Sequence, residues 1–179
     1  MSTRGKMNIT EVLLTILFAG IVVAMLVPVC APVKESDHRM TDLSAMKQVA
    51  IASMMYVETY DVLAPKSPPW IDALMPFVMN LDTFRCAELN NRWKADVYGH
   101  ALHKWMVRVN PAKLAAPERE VLFFDSTDLR RSAVAELYLL PPEGRVQRGS
   151  KGYNYFAFAD GHARLARVGE VPYATGSGK

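Results

Sequence analysis

The side chains able to do chemistry are few. His100 and His103 stand three apart, and with Cys86 and His162 they are the residue types that hold zinc. On a helix that spacing puts both histidines on one face. Ala101–Pro111 fits a strand at least as well, and a strand turns them to opposite faces. Asp125, Ser126 and Asp160 supply two carboxylates and a hydroxyl, but no spacing aligns them as a hydrolase constellation. There is no nucleophile elbow, P-loop or dinucleotide fingerprint. The expectation is therefore no catalytic, cofactor-binding or metal site and no enzyme. Cys30 lies inside an apolar run and Cys86 outside it, so the chain's 2 cysteines make no disulfide framework and Cys86 reads as a lone thiol. What remains is Glu11, a carboxylate at the head of that apolar run.

The run dominates the chain. No charged residue falls between Val12 and Val33, roughly 33 Å of helix against a hydrocarbon core of ~30 Å. Arg4 and Lys6 precede it, and Lys34, Glu35 and Asp37 follow. The positive-inside rule then predicts a single-pass anchor in a bacterial inner membrane, with a cytoplasmic N-terminus and the rest across the membrane, periplasmic or extracellular. A cleaved signal has an apolar region of about 7–15 residues; this run is longer and ends Val-Pro-Val-Cys-Ala-Pro-Val. Pro28 and Pro32 interrupt its outer half.

Beyond the run, Met40, Leu43, Met46, Val49 or Ala50, Met54 and Val57 recur at helical spacing, with Asp37, Arg39, Asp42, Lys47 and Glu58 at the other positions. One long helix from about Ile9 to Tyr60 is expected. Its apolar stripe is a packing face. The organisation read from this is a basic leader (1–6), a transmembrane helix (7–33), an amphipathic stem (34–60), an α+β head (61–168) and a flexible tail (169–179).

In the head, Ser67-Pro68-Pro69 precedes a short helix from Trp70 to Met75, stopped near Pro76. Strands are expected at Val107–Val109, Glu120–Phe124 and Glu136–Leu140. Tyr153–Ala159 and His162–Val168 flank Asp160-Gly161, a hairpin turn signal because glycine accepts the positive φ. The stem should lie on a small antiparallel sheet, giving a two-layer α+β domain. Net charge is only +3. The basic residues Arg130, Arg131, Arg145, Arg148, Lys151, Arg164 and Arg167 are scattered, so no nucleic-acid partner is expected.

The segment Glu11-Val-Leu-Leu-Thr-Ile-Leu-Phe-Ala-Gly-Ile-Val-Val-Ala-Met-Leu-Val-Pro28 resembles the start of type IV pilin-like and type II secretion pseudopilin-like proteins. Leu43-Ser44-Ala45-Met46-Lys47-Gln48 and Met55-Tyr56 with Leu63-Ala64-Pro65 continue the likeness. So do Trp70 to Phe77, Phe84-Arg85-Cys86 and Val121 to Ser126. Phe158-Ala159-Asp160-Gly161-His162 is similar to the end of an H-x9-DG subfamily, with Ser150 at the histidine position. The resemblance implies a prepilin-type N-terminus that is cleaved and methylated. A cut after Gly5 makes Lys6 the first mature residue and Glu11 the sixth; a cut after Lys6 makes Met7 first and Glu11 fifth.

The resemblance further implies a non-enzymatic subunit, and partners: sister subunits, a prepilin peptidase and an inner-membrane assembly platform. In such an assembly Glu11 neutralises a neighbour's buried terminal amine. It also admits a calcium ion in the head, although Asp160 and Asp125 offer too few oxygens for one. Two rivals stand beside it: a membrane-anchored binding or display module, and a membrane-tethered enzyme.

Overall fold

The computed structural model describes residues 9–30, 34–65, 69–89 and 97–170. Gly5, Lys6 and Met7 lie outside them, as do Pro32 and the tail beyond residue 170. The chain divides into two compact units, Met1–Lys34 and Glu35–Lys179.

The first unit holds α1, Ile9–Cys30. Thr15 Oγ1 donates back to the Glu11 and Val12 carbonyls, at 3.0 and 2.8 Å. That satisfies the hydroxyl within the helix and leaves the surrounding side chains apolar. The membrane placement needs correction. Among the described residues no helix is long and apolar enough to cross a membrane. The side chains of α1 are described as far as Ala24, roughly 24 Å of helix against ~30 Å of hydrocarbon. A single-pass inner-membrane anchor is therefore not supported. Of the long helix expected from Ile9 to Tyr60, α1 covers Ile9–Cys30 and α2 covers Lys34–Tyr60; the junction between them lies outside the described residues.

The second unit is α+β. Met46, Val49, Ala50 and Tyr56 of α2 are buried, with Leu43, Met54 and Val57 packed against them. Lys47 and Glu58 face outward. After α2 come α3, Trp70–Leu74, and six strands: β1 His100–His103, β2 Val121–Asp125, β3 Val134–Ala135, β4 Val146–Arg148, β5 Lys151–Phe158 and β6 Ala163–Arg167. Their order is β3-β1-β2-β5-β4, with β6 also on β5.

The sheet is mixed rather than wholly antiparallel, because β3 runs parallel to β1, Leu102 opposite Val134. The other pairings are antiparallel. Pleating sorts the side chains. Leu102, Phe123, Tyr155 and Ala157 join the α2 core, while Ala101, Phe124, Phe156 and Phe158 pack with Ala133, Ala135 and Leu137 on the other face.

Two expected strands are not strands. Val107–Val109 is broken by Arg108, at φ 63°. Leu137–Leu139 winds into a 3-10 turn ahead of Pro141 and Pro142. Between β5 and β6, Gly161 takes φ 90°, and its amide donates to the Phe158 carbonyl at 3.0 Å. Asp160 accepts from the His162 amide at 3.1 Å, and the His162 ring stacks on Phe158 at 4.2 Å.

Trp70 binds α3 into the core. Its indole N–H donates to the Ala133 carbonyl at 3.0 Å, and its ring meets Phe84 and Phe123 at 5.9 and 4.8 Å. Trp70→Ala should cost about 3–5 kcal/mol, since it removes the ring and leaves a cavity; the Ala133 carbonyl keeps the Leu102 amide as its other donor. Urea unfolding checks this; a loss below about 1 kcal/mol would contradict the packing described.

Candidate functional site

Four polar side chains from distant parts of the second unit meet on the α2 face of the sheet. His100 starts β1 and Asp125 ends β2, directly opposite each other in the antiparallel register. His100 Nδ1 lies 3.1 Å from Asp125 Oδ1. Asp125 Oδ2 accepts the Tyr155 amide of β5 at 2.7 Å, so both carboxylate oxygens are committed and the imidazole is held in one orientation.

Asp42, from α2, accepts the Ala87 amide on Oδ1 at 2.5 Å and the Glu88 amide on Oδ2 at 3.3 Å. The Cys86 thiol points at the same Oδ2, 3.5 Å away. Asp42, Cys86 and Asp125 are completely buried and His100 nearly so.

Local backbone makes this meeting possible. The Cys86 amide donates to the Tyr98 carbonyl at 2.8 Å, bringing the Phe84–Leu89 segment beside the start of β1. Gly99 sits in that contact at φ 81°. A Cβ there would come 3.1 Å from Cys86 Cβ and 2.5 Å from Leu89 Cδ1, so the two segments close only around a glycine.

Burial sets the protonation of the cluster. It pushes the Asp42 carboxyl up, with the Ala87 amide, His100 and the Glu88 amide working against that shift. It also pushes the Cys86 thiol well up, reinforced by the negative charges of Asp125 and Asp42. The Tyr155 phenol is raised by burial first and then by the same acids. A thiol in this state is a poor nucleophile, because attack needs an exposed thiolate. The adjacent cleft, of about 630 Å³, is lined by Thr41, Ser44, Gln48, Asn80, Asp82 and Arg85 among others, but not by Cys86 or His100. Cys86, His100 and Asp125 are thus buried behind that cleft rather than lining it.

The four zinc-type side chains weighed in the sequence are only partly assembled. Cys86 and His100 are together. His103 points to the opposite face of β1, edge-on to Phe124 at 6.1 Å. His162 is at the β5–β6 turn, against Asp160 Oδ1 at 2.5 Å. Asp125 accepts from Tyr155 and faces His100, and Asp160 Oδ1 is taken by His162, so the two carboxylates lie with separate partners. Asp42 carried no site signal in the sequence. Its place beside Leu43 looked like the outer face of the stem, whereas it is sealed inside. The only clue was an acid next to the apolar stripe.

Comparison with protein-family models, curated proteins and solved structures finds no match.

Two expectations follow from burial. In a Cys30→Ser chain, Cys86 should resist maleimide until the protein unfolds; labelling of the folded chain at the rate of a free thiol would contradict its burial. His103, its proton affinity lowered by burial against the pull of the Val121 backbone and Glu136, should make stability pH-dependent. The unfolded state protonates at its ordinary value of 6.5 and the folded state only lower, so stability is lost as pH falls below 6.5. One proton limits the slope to about 1.4 kcal/mol per pH unit. His103→Gln, measured by urea unfolding in EDTA, should flatten that limb; an unchanged slope would contradict the assignment.

Proposed function

We propose that this chain is a non-enzymatic, pilin-like subunit that assembles with sister subunits through α1 and carries the α+β unit as a displayed head. One observation carries the reading: the apolar side chains of α1 lie exposed. Leu13, Leu14, Ile16, Leu17 and Phe18 are each more than 60% exposed, and Ile21 and Val23 are also open. At 100° per residue these positions reach every side of the helix. A helix apolar all round is one that something else surrounds. The head has a core of its own, in which stem and sheet side chains are buried together.

Packing by like helices meets the demand without a membrane. Glu11 is the one charged residue of α1, and it lies at the end where a neighbour's terminal amine would be met. In a dry helix bundle an acid and an amine attract strongly, and either is costly alone. That gives subunits a register. The likeness of Glu11–Pro28 to pilin-like helices supports the same arrangement, as does the stem-on-sheet head. The sealed cluster of the head supports the non-enzymatic half of the proposal.

Chemical cross-linking of the full-length chain tests it. Wild type should form a ladder of cross-linked subunits. Leu17→Asp or Phe18→Asp should lower the yield about tenfold, equivalent to ~1.4 kcal/mol per contact, and Glu11→Leu should lower it while leaving the head folded. Ladders unchanged in all three variants would refute assembly through α1.

A further inference from the structure

The buried cluster of the head has one polar atom that the protein does not satisfy. His100 spends Nδ1 on Asp125, and its Nε2 is buried without a hydrogen-bond partner. A buried unpaired ring nitrogen costs about 1–3 kcal/mol. The same residue lies in a group where a His100 ring nitrogen, a carboxylate oxygen of Asp42 and the Cys86 Sγ are all within 4.8 Å of one another. Capping of the Ala87–Leu89 turn accounts for Asp42. It does not account for the free Nε2 or for the thiol directed at Asp42.

We propose that Asp42, Cys86 and His100 bind one zinc-class divalent cation, with Asp125 as the positioning residue behind His100. The donor set selects the metal. One thiolate, one imidazole and one carboxylate suit zinc and its transition-metal neighbours, whereas calcium and magnesium take oxygen ligands.

The separation of two of the ligand atoms suits a tetrahedral centre. Zinc bonds of about 2.3 Å to sulfur and 2.0 Å to oxygen or nitrogen place neighbouring ligand atoms ~3.5 Å apart. Cys86 Sγ and Asp42 Oδ2 already stand 3.5 Å apart. Asp125 supplies the outer hydrogen bond that metal-bound histidines carry, fixing the tautomer so that Nε2 offers its lone pair.

Charge balances too. Binding displaces the Cys86 proton to solvent, and the resulting thiolate and the Asp42 carboxylate neutralise the two positive charges of the ion. Burial, which disfavours each anion alone, then favours the ion that pairs them. The metal would tie three segments together: α2, the Phe84–Leu89 segment and β1. It is a structural role, independent of how α1 assembles.

The test uses the full chain with Cys30→Ser, so that any sulfur signature belongs to Cys86. After EDTA treatment and dialysis it is titrated with cobalt(II) chloride, then with zinc chloride. The expected result is a thiolate-to-cobalt charge-transfer band that saturates at one equivalent and disappears as zinc displaces cobalt. Zinc should also raise the thermal midpoint, and EDTA should reverse the rise. His100→Gln should weaken cobalt binding more than tenfold, and Asp125→Asn should weaken it about 10–100-fold while keeping the band. His103→Gln should leave it unchanged. Should the site variants fail to fold, the Cys30→Ser chain alone decides: both the band and the midpoint rise uphold the site, and the lack of either overturns it. Folded His100→Gln and Asp125→Asn chains with unchanged affinity overturn it as well.

Discussion

The apolar stripe of α2 against the sheet is the contact from which the head is built. Met46, Val49 and Ala50 share one buried core with Leu102, Phe123 and Tyr155, and the hydrophobic effect of that burial orders what is attached to it. Because the stripe fixes the rotation of α2, it also fixes where Asp42 points. One residue before Leu43, at the margin of the stripe, the carboxylate is carried under the Phe84–Leu89 segment rather than into water. The amides of Ala87 and Glu88 offset the desolvation this entails. The same docking brings Cys86 and His100 to it. The polar cluster is thus a consequence of apolar packing.

A buried cluster with two carboxylates, a thiol and an imidazole is an unusual thing for a small domain to keep. Its thiol is buried, with its proton affinity raised by that burial, and the neighbouring cleft is lined by other residues. Capping and strand pairing account for Asp42 and Asp125. They leave His100 Nε2 unexplained, and a cation between Asp42, Cys86 and His100 accounts for all four residues at once.

Much of the head was legible in the sequence where one local signal was enough. The spacing of Met46, Val49 and Val57 marked the buried face of α2. The apolar run Val121–Phe124 marked β2, and Asp160-Gly161 stood between the runs that pair as β5 and β6. Other parts needed context. His-Ala-Leu-His has polar ends and no alternation, yet it is an inner strand because β2 and β3 flank it. Val107 and Val109 carry β-branched side chains, but the positive φ of Arg108 ends any strand. The candidate site was least legible. Residues 42, 86, 100 and 125 share no spacing, and only the fold makes them neighbours. The apolar run from Val12 was plain in composition, but composition alone does not say what surrounds it. The membrane reading did not survive, and the exposed side chains of α1 were left to be covered in another way.

That demand is the centre of the account. A chain whose N-terminal helix exposes Leu13, Leu14, Ile16, Leu17 and Phe18 should not remain a single subunit. Sedimentation velocity of the full-length protein across a hundredfold range of concentration measures this directly. Reversible growth from monomer to larger species, abolished by a charge at Leu17, is the expected result. A sharp monomer at every concentration would contradict it.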